Sequence, residues 1–354
     1  MGAEVLVHQD GGVGRIVLDR PRALNSLTHG MITAVHAALE EWAADDTVRA
    51  VVLTGAGERG LCAGADIRAI HEDAKAGGAG SRAFFRDEYR LNALIARYPK
   101  PYVAVMDGIT MGGGVGLSAH GAVRIVTERS TVAMPETRIG LVPDVGGSRL
   151  LARAPGGLGT HLGLTSASMG PGDALLCGFA DHFVHSARIP ALLADLTARL
   201  AGPAVGAAAA VTAAVTAHAE AAPPAALAAQ RAWIDACYGA DTAEEIVARL
   251  LDTGLPEAKE AAEQVLGNSP TAVKVTLAAL RRARTLPSLE AVLDQEYRIS
   301  CAALAGHDLV EGIRAQVVDK DRNPRWSPAD LAGVSEAEVA RHFAPRGDDE
   351  LGLA

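Results

Sequence analysis

The chain has 354 residues, 49% of them hydrophobic, and 33 basic against 42 acidic side chains, a formal net charge of −9. So much apolar character excludes a largely disordered chain, which could not bury enough surface to offset its entropy. The acidic balance runs against a nucleic-acid partner held by counterion release, but leaves room for a local basic site on a phosphorylated ligand.

At about 150 residues per domain the length suits roughly two domains. Segments 4–7 and 15–18 are rich in β-formers and flank Gln9-Asp10-Gly11-Gly12, which predicts a hairpin. Met31, Val35, Ala38, Leu39 and Trp42 recur at helical spacing, so 28–43 reads as a helix capped by Thr28. The apolar run 50–55 reads as a buried strand ending on glycine. A long connection with a flexible stretch at 75–81 then leads to a helix over 82–97. Residues 102–106 form another buried strand, followed by a glycine cluster, a short helix, and strands at 123–127 and 131–134. From about residue 190 strand signals stop. Helices are expected over 191–200, 204–222, 225–238, 242–251, 256–266, 272–286 and 288–305, punctuated by Pro223-Pro224, Pro256 and Pro287. Strands alternating with helices, then helices alone, make this an α/β protein: a core over 1–200 and a helical region over 201–354.

Cys62, Cys177, Cys237 and Cys301 form no CxxC pair and read as ordinary reduced thiols. The first ten residues lack a basic-then-apolar signal pattern. The uncharged run 201–217 is mostly alanine, broken by Gly202, Pro203 and Gly206, and falls short of a membrane span. A soluble, cytoplasmic protein is the expectation.

Two glycine-bearing loops draw the chemistry. Gly112-Gly113-Gly114-Val115-Gly116 contains a match to the dinucleotide pattern, but the next strand follows too closely for a crossover helix. Gly116-Leu117-Ser118-Ala119-His120 misses the nucleophile elbow, because His120 stands where its last glycine must be. Glycines at a helix start do supply close backbone approach and free N–H groups suited to an anionic oxygen. Cys62-Ala63-Gly64-Ala65-Asp66, after the 50–55 strand, is a second such loop. Two loops each aiming one N–H at a carbonyl would serve acyl chemistry; two ordinary tight turns are the plain alternative. Glu136 ends an apolar strand and Asp144 lies between apolar and glycine residues, so both are candidates for an acid–base or nucleophile–orienter pair.

At these residues the chain resembles the crotonase superfamily, and more closely its 3-hydroxyisobutyryl-CoA hydrolase branch. The resemblance is carried by Asp19-Arg20-Pro21-Arg22-Ala23-Leu24-Asn25-Ser26-Leu27, by Cys62–Ile67, by Gly108–Leu117, by Met134-Pro135-Glu136-Thr137 and by 140–147. Near the C-terminus, 311–315, 318–321 and Pro324-Arg325-Trp326 also fit. It implies a crotonase-like spiral core of ββα units followed by a helical C-terminal region. It implies an acyl-CoA substrate whose thioester oxygen lies between the N–H groups of Ala65 and Gly113, with Arg22, Ala23, Leu24, Asp66 and Ile67 along the CoA moiety. Glu88, Gly113, Glu136 and Asp144 match substrate-contact positions, with Glu136 and Asp144 catalytic. Helical spacing alone reads Glu88 as a solvated charge on the 82–97 helix. Enoyl-CoA hydratases place a second glutamate at position 116, where this chain has Gly116, and a glycine where it has Asp144. The resemblance therefore implies thioester hydrolysis rather than hydration, with no metal or redox cofactor, CoA being part of the substrate, and a homo-oligomer based on trimers. A hydratase or isomerase, and a non-catalytic CoA-binding scaffold, are the rival readings.

Overall fold

The computed structural model describes residues 3–202 and 206–354. Its strands are β1 (Val5–Asp10), β2 (Val13–Leu18), β3 (Ala50–Gly55), β4 (Gly60–Cys62), β5 (Tyr102–Met106), β6 (Ile109–Met111), β7 (Val123–Val126), β8 (Thr131–Ala133), β9 (Ser168–Met169) and β10 (His182–Phe183). The six-stranded sheet has the order β1-β2-β3-β5-β7-β10. The expected hairpin is its antiparallel edge, with Val5 opposite Leu18 and Asp10 opposite Val13, while the remaining pairs are parallel. β3 and β5 are apolar nearly throughout because a parallel strand is covered on both faces.

The chain divides into two compact units, each built from three segments, rather than at residue 200. The first comprises Met1–Ala65, Arg90–Val132 and Met169–Ala225; the second comprises Asp66–Tyr89, Ala133–Ser168 and Ala226–Ala354. In the first unit, the helices Ile189–Leu200 and Ala207–His218 belong with the sheet. Leu192, Leu196, Ala210, Val211, Ala214 and Val215 form one buried cluster with Val52, Val103, Val105 and Ile125. Small alanines at helical spacing let that second helix lie close, so the alanine-rich tract is core material and not an appendage. The first residues of the helix expected over 204–222 lie outside the described residues.

Most expected elements are present. Thr28 caps the helix His29–Ala44, its hydroxyl accepting from the Met31 N–H at 3.2 Å. The stretch expected to be a connection after residue 55 instead contains β4 and the helix Ile67–Lys75, and the following helix begins at Ala79. Ile70 and His71 are that shorter helix's buried residues, too few to announce a helical stripe. In the second unit, Val142, Val275, Ala279, Ile299 and Phe343 form a separate buried cluster.

Asn25 fastens the turn that carries Arg22. It is 1% exposed and sits at φ +53°, a left-handed conformation that asparagine tolerates better than most residues. Its side-chain oxygen accepts from the Arg20 N–H at 2.9 Å, and its amide donates to the carbonyls of Ala56 and Gly60 at 3.0 and 3.1 Å. Asn25→Ala breaks all three bonds and strands their partners. Urea unfolding should show a loss of about 2–4 kcal/mol, and a loss below the measurement error would show that the turn does not depend on this side chain.

Candidate functional site

In the first unit the two glycine-bearing loops lie side by side. The parallel pairing of β4 with β6 sets them next to each other, and the Leu27 N–H donates to Gly64 O at 2.8 Å to hold the first. Gly64 has φ +102°, and a Cβ there would lie 3.3 Å from Met111 O and 3.8 Å from the Gly113 nitrogen. A Cβ on Gly114 would lie 2.4 Å from Cys62 O, so only glycine lets the helix Gly113–Ser118 start this close to β4. Gly113 is the first residue of that helix, where an N–H has no intrahelical acceptor. Among the described residues, neither Ala65 nor Gly113 donates its N–H to a loop or turn carbonyl. Ser118 is buried and its hydroxyl donates back to Gly114 O at 2.7 Å, as a helix residue does.

Arg22 and Ala23 are exposed on the turn Pro21–Ala23, and Leu24 closes it at φ +54°. Arg59 braces this turn by donating to the carbonyls of Pro21 and Arg22 at 2.6 and 3.2 Å. In the second unit, Asp66 and Ile67 open the helix Ile67–Lys75.

The second unit also holds an acid cluster. Glu88, Glu136, Asp144 and Glu296 are all at most 6% exposed. Glu88 lies on the helix Ala79–Ala96, and its burial runs against the solvated charge that helical spacing suggests. Glu136 begins the 3-10 turn Glu136–Ile139. One carboxyl oxygen each of Glu88 and Glu136 is buried without a hydrogen-bond partner, which marks a place prepared for a ligand or water. Tyr89 donates to Asp144 Oδ2 at 2.6 Å, and Ser300 Oγ lies 2.8 Å from the same phenol oxygen.

Glu296, on the helix Leu289–Leu304, grips the loop beyond Asp144. It accepts from the Gly146 N–H at 2.7 Å, the Ser148 N–H at 3.1 Å and the Ser148 hydroxyl at 2.5 Å. Between Asp144 and Gly146, Val145 sits at φ +52°, a conformation costly for a β-branched residue by roughly 1–3 kcal/mol. The Glu296 clasp, with the Gly147 N–H donating to Asp144 O at 2.6 Å, keeps it there.

Burial dominates the electrostatics. It pushes Asp144 up to about 6, against the lowering effect of the Tyr89 hydrogen bond. It pushes Glu296 up to about 8 despite the Ser148 and Gly146 donors, with Asp144 adding to the rise. Glu136 is raised well above the usual carboxylate range, first by burial and then by Asp144, with Glu296 and Glu88 adding. Glu88 is raised by burial and then by Asp144. A charge on Asp144 thus keeps a proton on its neighbours and makes Glu136, once ionised, a strong base or nucleophile.

Tyr89, Glu296 and Ser300 escape a motif reading. Glu296 could have been found as an acid inside the buried stripe Val292, Leu293, Glu296, Ile299, Ser300. Tyr89 and Ser300 carry no such signal.

Residues 13–343 match the family model described as enoyl-CoA hydratase/isomerase. The chain is 44% identical to the mitochondrial 3-hydroxyisobutyryl-CoA hydrolase of Danio rerio, over 99% of this chain and 92% of that one. It is 41% identical to the Homo sapiens protein of the same name, over 98% and 90%. Among solved structures it resembles a carnitinyl-CoA dehydratase from Mycobacterium thermoresistibile, 53% identical over 99% of both chains with a TM-score of 0.94. An enoyl-CoA hydratase from Rhodobacter sphaeroides is 44% identical over the same shares, with a TM-score of 0.91. The cytoplasmic expectation is corrected by the relatives, whose names place them in mitochondria; reduced cysteines and the lack of a secretory pattern or membrane-span run do not distinguish the two compartments. Among the described residues no helix is long and apolar enough to cross a membrane.

Carboxyls raised in the folded state bind more protons than the unfolded chain does, so folding stability falls as pH rises. The fall should begin near pH 4, where unfolded carboxyls titrate, and continue to at least about pH 8, where Glu296 ionises. Glu136→Gln removes one such group and should make the decline shallower in thermal unfolding between those limits. An unaltered slope would mean that Glu136 ionises normally.

Proposed function

Because the chain belongs to the enoyl-CoA hydratase/isomerase family, in its 3-hydroxyisobutyryl-CoA hydrolase branch, we propose that it hydrolyses 3-hydroxyisobutyryl-CoA to CoA and 3-hydroxyisobutyrate. The observation that carries this reading is the buried pair Glu136 and Asp144 together with glycine at position 116. By the family resemblance a hydratase pairs the acid at the position of Glu136 with a second at position 116, and here that place is Gly116 while the second acid is Asp144. A thioesterase needs one strong base or nucleophile and a second acid to orient what reacts.

In this reading the N–H groups of Ala65 and Gly113 donate to the thioester oxygen as it becomes an oxyanion, each worth about 3 kcal/mol. Glu136 either attacks the carbonyl carbon, giving a mixed anhydride that water then cleaves, or takes a proton from attacking water. Both routes break the C–S bond and deliver the thiolate, which leaves as CoA after protonation. Asp144 holds the 3-hydroxyl or the water. Arg22, Ala23 and Leu24, with Asp66 and Ile67, line the CoA moiety, and Glu88 contacts the acyl group. We further assign the reaction to valine breakdown, with 3-hydroxypropionyl-CoA as an additional substrate.

Thiol release from 3-hydroxyisobutyryl-CoA should exceed hydration of crotonyl-CoA under matched conditions. Efficient hydration without thiol release would overturn the assignment in favour of the hydratase chemistry named for the Rhodobacter sphaeroides structure. Glu136→Gln should lower kcat by about 10²–10⁴ while CoA-ester binding persists. Gly113→Pro removes one N–H at a helix position that tolerates proline, and should slow a folded enzyme by about 10²–10³. Normal turnover in either variant would remove that residue from the chemistry.

A further inference from the structure

Asp144 is held by a contact that no motif announces. The phenol of Tyr89 has one proton, and burial with the Asp144 charge beside it holds its pKa well above the ordinary value, so it stays protonated. At 2.6 Å from Asp144 Oδ2 that proton points to the carboxylate. The 2.8 Å contact to Ser300 must then run the other way, with the serine hydroxyl donating to the phenol oxygen. Ser300, Tyr89 and Asp144 form a directed chain in which each donor has one acceptor. All three are at most 5% exposed, so water does not compete for these bonds.

The ring is fixed independently of its hydroxyl. It stacks on Phe85 with centroids 5.9 Å apart and meets Tyr297 edge-on at 6.3 Å. A rigid aromatic thus presents its hydroxyl at one place, and that place selects which carboxylate oxygen is engaged. With Oδ2 held by Tyr89, the orientation in which the carboxylate can meet a substrate hydroxyl or water is set. We propose that Tyr89, braced by Ser300, is the positioning residue that fixes the Asp144 carboxylate for reaction.

The titratable groups around Asp144 come from three elements. Tyr89 and Glu88 lie on the helix Ala79–Ala96, Glu136 on its 3-10 turn, and Glu296 on the helix Leu289–Leu304. A charge on Asp144 raises every carboxyl among them and the Tyr89 phenol as well. Tyr89 is the side chain that favours that charge.

This inference rests on the hydrolase reading, and the test separates the two. Tyr89→Phe keeps the packed ring and removes the hydroxyl. Thiol release should show kcat about 10- to 100-fold lower with KM within about threefold. The acid limb of kcat/KM should move to higher pH, because Asp144 loses the donor that favours its ionised form. Ser300→Ala should shift both in the same direction by less. Unfolding measurements read the contact without turnover: the stability penalty of Tyr89→Phe should grow as pH rises through about 6, where Asp144 ionises. In an Asp144→Asn background that pH dependence should vanish. An unmoved acid limb with a pH-independent penalty overturns the proposal. If the parent protein releases no thiol while the pH-dependent coupling persists, the hydrolase reading falls and the placement of Asp144 by Tyr89 stands.

Discussion

Removing four carboxyl groups from water is the constraint on which the second unit depends. An ionised carboxylate in an apolar interior is costly by several kcal/mol unless donors compensate it. The donors here are distributed unequally. Glu296 receives three and Asp144 receives the Tyr89 hydroxyl, while Glu88 and Glu136 each keep an oxygen with none. Burial outweighs donor number: it still holds Glu296 up to about 8, so charge settles first on Asp144, near 6, while Glu88 and Glu136 stay well raised. The result separates the acid that ionises first from neighbours that keep their protons.

The same groups also hold backbone. Glu296 spends its carboxylate on the N–H groups of Gly146 and Ser148, which keeps Val145 in a left-handed conformation beside Asp144. The acid on the helix Leu289–Leu304 and the acid on the loop it grips are thus one arrangement. In the first unit the corresponding economy uses glycine. Close approach of Gly114 to the Cys62 carbonyl puts the start of a helix beside a strand end, leaving the Gly113 N–H directed outward from the helix.

Family membership and reaction are separate matters, as the names of the relatives illustrate. Hydrolases, a hydratase and a dehydratase all share this chain's sequence over nearly its whole length. At position 116 the chain has a glycine buried inside a short helix, and at position 144 a buried carboxyl.

The order of strands and helices, the hairpin at the N-terminus, the cap at Thr28 and the helices beyond residue 225 could be read from periodicity, because each is a local pattern. The two glycine-bearing loops and the acids Glu136 and Asp144 stand out in the sequence as local patterns, while Ala65 and Gly113 were singled out by the family resemblance. The partition into units was not legible, since residues 66–89 and 133–168 join the C-terminal helices only through contacts distant in sequence. Glu88 looked solvated because a helix pattern counts polar residues without knowing what covers them. Glu296 and Tyr89 act through hydrogen bonds 148 to 150 and 55 residues away along the chain. Which acid is charged and which is neutral was decided by tertiary structure, because burial and the donors that answer it exist only once distant segments meet.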